Sequence, residues 1–183
     1  MRKLIISILI IFFIAISLTE INLTLGKDDD NYLNTLKIMQ KNKFDVPSKK
    51  TLAPDFSVTD FNGKKHSLKD YRGKIIFLNF WATWCGPCVW EMPSIEKLNK
   101  KMAQSNFVIL AISHENKETV KKFITSKDYN FNILIGSASN KYGVRGIPTT
   151  FIIDKNGYVL GRAVGSRDWS TNSIINLFKL LVK

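Results

Sequence analysis

The pattern of apolar and polar positions after residue 50 predicts alternating strands and helices. Residues 74–81 form an almost continuous apolar run, and residues 107–112 form a second one. Such runs are typical of strands that are buried on both faces of a sheet. A one-sided helix follows the first run, because apolar side chains recur there at steps of three and four residues: Met92, Ile95, Leu98 and Met102.

Two turn signals predict β-hairpins. Asn62-Gly63 is a strong tight-turn dipeptide, and Asp154-Lys-Asn-Gly157 is a second turn between two apolar segments. The strands predicted beside these turns are residues 56–59 and 64–68 for the first turn and residues 149–153 and 158–164 for the second.

The remaining periodic stretches complete an α/β pattern. Residues 117–126 and 169–181 carry apolar positions at helical spacing, and residues 131–135 can form a further strand. Strands and helices that alternate along a chain pack as a sheet covered by helices on both sides. We therefore expect one α/β domain over residues 52–183.

The first 26 residues have the build of an export or anchoring segment. Arg2 and Lys3 precede residues 4–18, which are apolar apart from two serines. This arrangement is typical of a signal sequence, and the basic start favours a cytoplasmic N-terminus with the rest of the chain outside. We expect an uncleaved membrane anchor, with removal as a signal peptide, and hence a secreted form, as the alternative. Residues 27–51 are polar and predict a linker.

Composition and charge exclude several classes of protein. The chain has 183 residues, of which 45% are hydrophobic and two are cysteine, so it is neither a disordered tail nor a disulfide-rich mini-protein. A net charge of +12 is compatible with nucleic-acid binding. However, the lysines are scattered singly or in pairs, and we interpret them as a solvated surface and expect no nucleic-acid partner.

The chemistry is concentrated in Cys85-Gly-Pro-Cys88, between the first buried strand and the one-sided helix. A thiol at a helix start faces unpaired N–H groups and the positive end of the helix dipole, which favour the reactive thiolate. Pro87 fits there because the first helical turn needs no N–H from it. Cys88, one turn further on, is expected to be more buried and to attack a mixed disulfide formed at Cys85.

Other interpretations of the cysteine pair carry less weight. A structural zinc site needs four ligands, whereas only His66 and His114 remain, outside the familiar spacing. An inert disulfide is compatible with export, but so small a ring removes little entropy from the unfolded chain. The pattern favours a redox-active pair with no bound cofactor and no metal, and a non-catalytic metallochaperone that uses the same thiols remains the alternative.

Residues 79–88, Asn-Phe-Trp-Ala-Thr-Trp-Cys-Gly-Pro-Cys, resemble the active site of the thioredoxin superfamily. Four further segments resemble its TlpA/ResA-like branch, the membrane-tethered thiol–disulfide oxidoreductases with a redoxin (AhpC/TSA-like) domain. They are Ala53-Pro-Asp-Phe56, Asp70-Tyr-Arg-Gly-Lys74, Glu91-Met-Pro93 and Gly146-Ile-Pro-Thr-Thr-Phe151, in the family's order over residues 52–165. The resemblance implies a thioredoxin-like fold with a central mixed sheet flanked by helices, an N-terminal β-hairpin and a helix–strand insertion at residues 117–135.

The resemblance also implies roles for individual residues. Pro148 matches the family's cis-proline opposite the disulfide, which leaves the backbone of Ile147 free to pair with an extended client. Glu91 matches a glutamate that ResA-like proteins carry three residues after the second cysteine, where burial raises its pKa and makes it a proton acceptor. Asn79 stands where thioredoxin has a buried acid. The other expected client contacts are Trp84, Gly86 and Pro87.

The family's activity gives the expected function. The resemblance implies an enzyme in the bacterial periplasm or at the outer face of the inner membrane, tethered by the N-terminal segment. It would reduce cysteine pairs in client proteins during cytochrome c or copper-centre maturation, supplied by a membrane thiol reductant of the DsbD/CcdA kind. Gly86-Pro87 is the pair found in thioredoxin itself, whereas many maturation members have Glu-Pro or Pro-Thr there.

Overall fold

A seven-stranded mixed sheet forms the centre of the computed structural model, which describes residue 30 and residues 32–183. The strand order is β2-β1-β5-β4-β3-β6-β7. The strands are β1 (Val58–Thr59), β2 (Lys65–His66), β3 (Ile75–Phe80), β4 (Phe107–Ser113), β5 (Asn132–Ile135), β6 (Thr149–Ile153) and β7 (Val159–Val164). The helices are α1 (residues 32–41), α2 (Gly86–Met102), α3 (Lys117–Ile124) and α4 (Asn172–Leu181).

Strand β3 is the centre of the sheet and the element that leads to the cysteines. It pairs in parallel with β4 and antiparallel with β6, and all six of its residues are buried. Its side chains alternate between two cores, and Phe77 on one face packs against Trp169 and Phe178. The other core receives Ile76, Leu78 and Phe80. The continuous apolar run thus predicted this strand correctly.

The N-terminal hairpin and the helix–strand insertion meet at one end of the sheet. Strands β1 and β2 pair antiparallel around Asn62-Gly63, as the turn signal predicted. Strand β1 also pairs with β5, the strand of the insertion. Gly136 directly after β5 has φ +153°, and a Cβ there would lie 2.8 Å from Cγ1 of Val58. The insertion therefore supplies the strand on which the hairpin is added, and the expected α/β architecture is confirmed.

The folded part begins earlier than the boundary at residue 52 that the polar composition predicted. Met39 and Phe44 are buried, and the backbone of Asp45 exchanges two hydrogen bonds with Arg162 of β7, at 2.8 and 2.7 Å. Residues 38–45 are thus part of the compact unit Ile38–Lys183. The expected linker at residues 27–51 is wrong for this stretch, because a few apolar side chains within a polar segment cover the edge strand.

The predicted signal or anchor segment at residues 1–26 lies outside the described residues. Within the part that the structure describes, none of the helices combines the length and apolar character needed to span a membrane.

Gly161 of β7 provides a test of how tightly the early segment packs. A Cβ at this position would lie 2.9 Å from Cε of Met39 and 3.0 Å from Cβ of Phe44. We expect Gly161→Ala to lower the free energy of unfolding by about 1 kcal/mol or more, because the added methyl group overpacks the contact. Urea denaturation measures the change. The matched control is Gly146→Ala, where no atom lies within 4 Å of the added Cβ, and equal stability of the two variants would contradict the packing.

Candidate active site

Cys85 and Cys88 lie at the start of α2, just after the carboxyl end of β3, and form a disulfide. Cys85 is the N-cap residue of α2, and its Sγ accepts a hydrogen bond from the backbone N–H of Cys88 at 3.2 Å. Pro87 occupies the first turn, where no intrahelical N–H is needed. In the reduced protein the same N–H and the helix dipole favour a thiolate at Cys85.

The two cysteine residues differ slightly in exposure, in the direction that the sequence predicted. Cys85 is 5% exposed, whereas Cys88 is 1% exposed. Gly86 and Pro87 between them are exposed. Of the two cysteines, Cys85 is thus the more exposed to solvent.

The loop opposite the disulfide contains the cis peptide bond Ile147–Pro148, the isomer that the resemblance implied. The carbonyl oxygen of Ile147 lies 3.7 Å from Sγ of Cys85. The carbonyl oxygen of Pro148 accepts a hydrogen bond from the N–H of Gly165 at 2.9 Å, which ties the loop to the end of β7. Within the described residues the N–H of Ile147 donates to no protein acceptor. The loop thus places the Ile147 backbone beside the reactive sulfur.

An open cleft of about 230 Å³ lies beside the cis-proline loop. Trp84, whose side chain is 69% exposed, lines it together with Ile147. His114 and Arg145 add polar groups to the lining. Trp81 also borders the cleft but is buried, and its ring packs beside Phe123. Of the two tryptophans that line the cleft, only Trp84 presents a large apolar surface to an incoming protein.

Glu91 lies three residues after Cys88 on α2 and is 1% exposed. Its Oε1 accepts a hydrogen bond from Nδ2 of Asn79 at 3.0 Å, and its Oε2 accepts from Nε1 of Trp169 at 2.9 Å and from the N–H of Arg167 at 3.3 Å. Burial raises the pKa of Glu91 to about 7, although the hydrogen bonds and the charge of Arg167 act in the opposite direction. The carboxyl group therefore gains and loses its proton near neutral pH.

Asn79 at the centre of β3 orients one oxygen of this carboxyl group. Its amide Nδ2 also donates to Oγ1 of Thr150 on the neighbouring strand at 2.9 Å, and both side chains are buried. An amide cannot titrate, so Asn79 fixes the position of Glu91 without competing for its proton.

Trp169 and Arg167 are site residues that sequence reasoning missed. They follow Glu91 by 78 and 76 residues, respectively. The sequence placed Trp169 at the start of a predicted helix, as one of its apolar positions. No local pattern indicates that its indole N–H donates to a distant carboxyl group. Hydrogen bonds between separate elements leave no periodic signal along the chain.

Glu115 is a second carboxylate that the sequence did not single out. It accepts hydrogen bonds from the backbone N–H and the hydroxyl group of Thr83, both at 2.7 Å, and from Oγ of Ser113 at 3.0 Å. Thr83 lies in the loop that joins β3 to Cys85. Glu115 therefore anchors this loop to the end of β4 and helps to set the position of the N-cap sulfur.

The described residues contain no group of three or more His, Cys, Asp or Glu side chains placed to hold a metal ion.

Comparison with known proteins gives the same reaction class. The sequence model of the AhpC/TSA family matches residues 50–161. The thiol-disulfide oxidoreductase ResA of Bacillus thuringiensis subsp. konkukian is 42% identical over 119 residues, which span 63% of this chain and 69% of that protein. ResA of Geobacillus thermodenitrificans is 47% identical over 111 residues, or 58% of this chain and 64% of that protein.

Solved structures agree with these sequence matches. A crystal structure from Chlorobium tepidum, of a protein assigned as the thiol:disulfide interchange protein DsbE, has a TM-score of 0.68 and 30% sequence identity. The match covers 74% of this chain and 99% of that one. A second Chlorobium tepidum structure, a thiol:disulfide interchange protein of the thioredoxin family, has a TM-score of 0.63 at 28% identity, over 75% of this chain and 99% of that one.

The matched range, residues 50–161, spans the hairpin, the insertion, both cysteines, Glu91 and Pro148. With its thioredoxin-like fold and its Cys85–Cys88 disulfide, the chain belongs to the AhpC/TSA family and is a thiol–disulfide oxidoreductase of the ResA and DsbE type.

Proposed function

We propose that the enzyme reduces disulfides of client proteins outside the cytoplasm, with Cys85 as nucleophile, Cys88 as resolving thiol and Glu91 as proton acceptor. The observation that carries the proposal is the buried carboxyl group of Glu91, which has a pKa of about 7 and lies one helical turn beyond Cys88. A group that titrates near the ambient pH is best suited to moving a proton in both directions.

The first step is attack of the Cys85 thiolate on one sulfur of a client disulfide. The client S–S bond breaks, a mixed disulfide forms between Cys85 and the client, and the second client sulfur leaves as a thiolate. The N-cap position of Cys85 supports this step, because the N–H of Cys88 stabilises the charge on the attacking sulfur.

The second step releases the reduced client. The thiol of Cys88 passes its proton to the Glu91 carboxylate, and the resulting thiolate attacks Sγ of Cys85. The Cys85–Cys88 disulfide forms, the mixed disulfide breaks, and the client sulfur that was bound to Cys85 leaves as a thiolate. Two electrons thereby pass from the enzyme dithiol to the client, and the oxidised state in this structure is the product.

Client binding uses the loop opposite the disulfide. An extended client segment pairs with the backbone N–H and carbonyl of Ile147 next to Pro148. The side chain of Trp84 covers it from the other side, and the exposed Gly86-Pro87 turn lets a client sulfur approach Cys85 without steric hindrance.

The sequence also supports a direction of electron transfer, a cellular location and partner proteins for the enzyme. Gly86-Pro87 supports the reducing direction, since it is the pair of reducing members of the superfamily. The basic and then apolar residues 1–26 support a membrane tether and an extracytoplasmic site. Clients would then be cysteine pairs that await haem or copper. The oxidised enzyme would be reduced again by a membrane thiol carrier of the DsbD/CcdA kind.

Serine variants separate the two cysteines. We expect Cys85→Ser to lose all reduction of insulin disulfides, because the remaining thiol, Cys88, is buried and cannot reach a client disulfide. Cys88→Ser should also fail to turn over but should accumulate a mixed disulfide at Cys85, detected by mass spectrometry of client proteins trapped in non-reducing conditions. Retained turnover in Cys85→Ser would refute the redox role of Cys85. Stoichiometric binding of copper or zinc by a wild-type protein that shows no turnover would favour the metallochaperone instead.

Replacing Glu91 by Gln tests the proton acceptor. In the wild type we expect the rate of mixed-disulfide resolution to rise as the pH increases through about 7, because only the ionised carboxyl group accepts the Cys88 proton. Glu91→Gln should lose this rise and be slower at pH 7 by about tenfold or more. Stopped-flow fluorescence over a pH series measures both effects.

A matched control lies on the same helix. Glu96 is also a buried glutamate of α2, but its carboxylate accepts hydrogen bonds from Asn130. Glu96→Gln should keep the wild-type pH profile. If Glu91→Gln keeps it as well, Glu91 has no part in the proton transfer.

A further inference from the structure

Two of the three hydrogen bonds to the carboxyl group of Glu91 come from one short segment, residues 166–169 between β7 and α4. The backbone N–H of Arg167 and the indole N–H of Trp169 both donate to Oε2. The backbone N–H of Trp169 also donates to Oγ of Ser94, whose hydroxyl group donates to the carbonyl oxygen of Glu91. The position of this segment therefore determines the surroundings of the carboxyl group.

The side chain of Arg167 anchors this segment to an early part of the chain. Its Nη1 donates to the carbonyl oxygen of Asn42 at 3.3 Å, and its Nη2 donates to that of Lys43 at 3.0 Å. The guanidinium group lies over two rings, 4.8 Å from the centroid of Phe44 and 5.1 Å from that of Trp169. Two hydrogen bonds and two ring contacts therefore fix the guanidinium group of Arg167. A surface arginine that served only charge or solubility would not need these contacts.

Residues 42–45, here named the clasp, are themselves held in place. Lys43 has a left-handed backbone with φ +59°, and the N–H of Phe44 donates to the carbonyl oxygen of Met39 at 3.1 Å. Asn42 accepts a hydrogen bond from the hydroxyl group of Ser173 on α4 at 2.7 Å. With Asp45 bonded to β7 at its far end, the clasp is a fixed support for Arg167.

We propose that Arg167 is a positioning residue for Glu91, and that the clasp holds the Glu91 site together through Arg167. The proposal rests on the role of Glu91 as proton acceptor. It extends the machinery of proton transfer to a part of the chain that composition alone marks as a linker.

Besides holding the segment in place, Arg167 affects Glu91 through its positive charge. Its field lowers the pKa of Glu91, whereas burial has the larger, opposite effect. The other groups that contact the carboxyl group are neutral: Asn79 from β3 and Trp169 from the segment before α4. Cys88 lies one turn earlier on α2. The negative charge of Asp45 in the clasp favours the charged form of Arg167. Removing Arg167 takes away the positive charge and loosens two donors, and both changes favour the protonated carboxyl group.

The test uses the full-length chain and the pH profile of mixed-disulfide resolution. We expect Arg167→Met, which keeps a long side chain but loses the charge and both hydrogen bonds, to move the midpoint near pH 7 upward by about half a unit or more. Arg167→Lys retains the charge and should restore most of the wild-type midpoint. Phe44→Leu, which weakens the clasp contact, should move the midpoint in the same direction as Arg167→Met.

Two controls make the outcome specific. Lys122→Gln removes one exposed charge from α3 and should leave the midpoint unchanged. In a Glu91→Gln background the Arg167 substitutions should have no effect on the profile, because the titrating group is absent.

Several results would overturn the proposal. An unchanged midpoint in Arg167→Met, with the midpoint lost in Glu91→Gln, would reject the positioning role but leave the proposed function intact. A downward shift would mean that Arg167 acts mainly by excluding water from the site, and an unchanged midpoint in Phe44→Leu would remove the clasp from the account. A midpoint that persists in Glu91→Gln would reject the proposed proton transfer as well.

Discussion

The site depends on one constraint: a carboxyl group buried behind the disulfide must remain able to ionise near neutral pH. Water would normally solvate such a group, and its exclusion raises the pKa of Glu91. The protein replaces water with three N–H donors, from Asn79, Arg167 and Trp169. These donors keep the pKa from rising further, so that both protonation states are accessible. The balance between burial and hydrogen bonding thus suits the group to exchange a proton with a thiol.

The fold brings this site together from distant parts of the chain. Strand β3 ends where α2 begins, which places the N-cap sulfur of Cys85 at the positive end of the helix. Glu115 at the end of β4 fixes the loop between them through Thr83. The cis-proline loop between the 3₁₀ turn at Ser139–Tyr142 and β6 closes the other side. The loops that surround Cys85 therefore come from three adjacent strands, β4, β3 and β6. They follow β4 and β3 and precede β6, which places all three loops at the same edge of the sheet.

Much of this could be predicted from sequence because the signals are local. A continuous apolar run predicted β3, helical spacing predicted α2, and the spacing of Cys85 and Cys88 indicated the chemistry. The clasp could not be predicted, since it is a polar stretch whose Met39 and Phe44 become informative only when they cover β7. Helix α4 starts at Asn172 rather than at residue 169, because Thr171 caps it. Trp169 instead turns inward to the carboxyl group, a contact that depends on tertiary packing alone.

The most direct test of this account is the titration of Glu91 itself. Carbon-13 NMR of protein labelled at the glutamate carboxyl carbons, with Glu91→Gln used for assignment, follows the ionisation of this group in the oxidised state. We expect a midpoint near pH 7 for Glu91, well above the ordinary value of a glutamate carboxyl group. A midpoint in the ordinary range of glutamate, near ~4.3, would contradict this role, because the carboxylate would then be too weak a base to take the Cys88 proton efficiently near neutral pH.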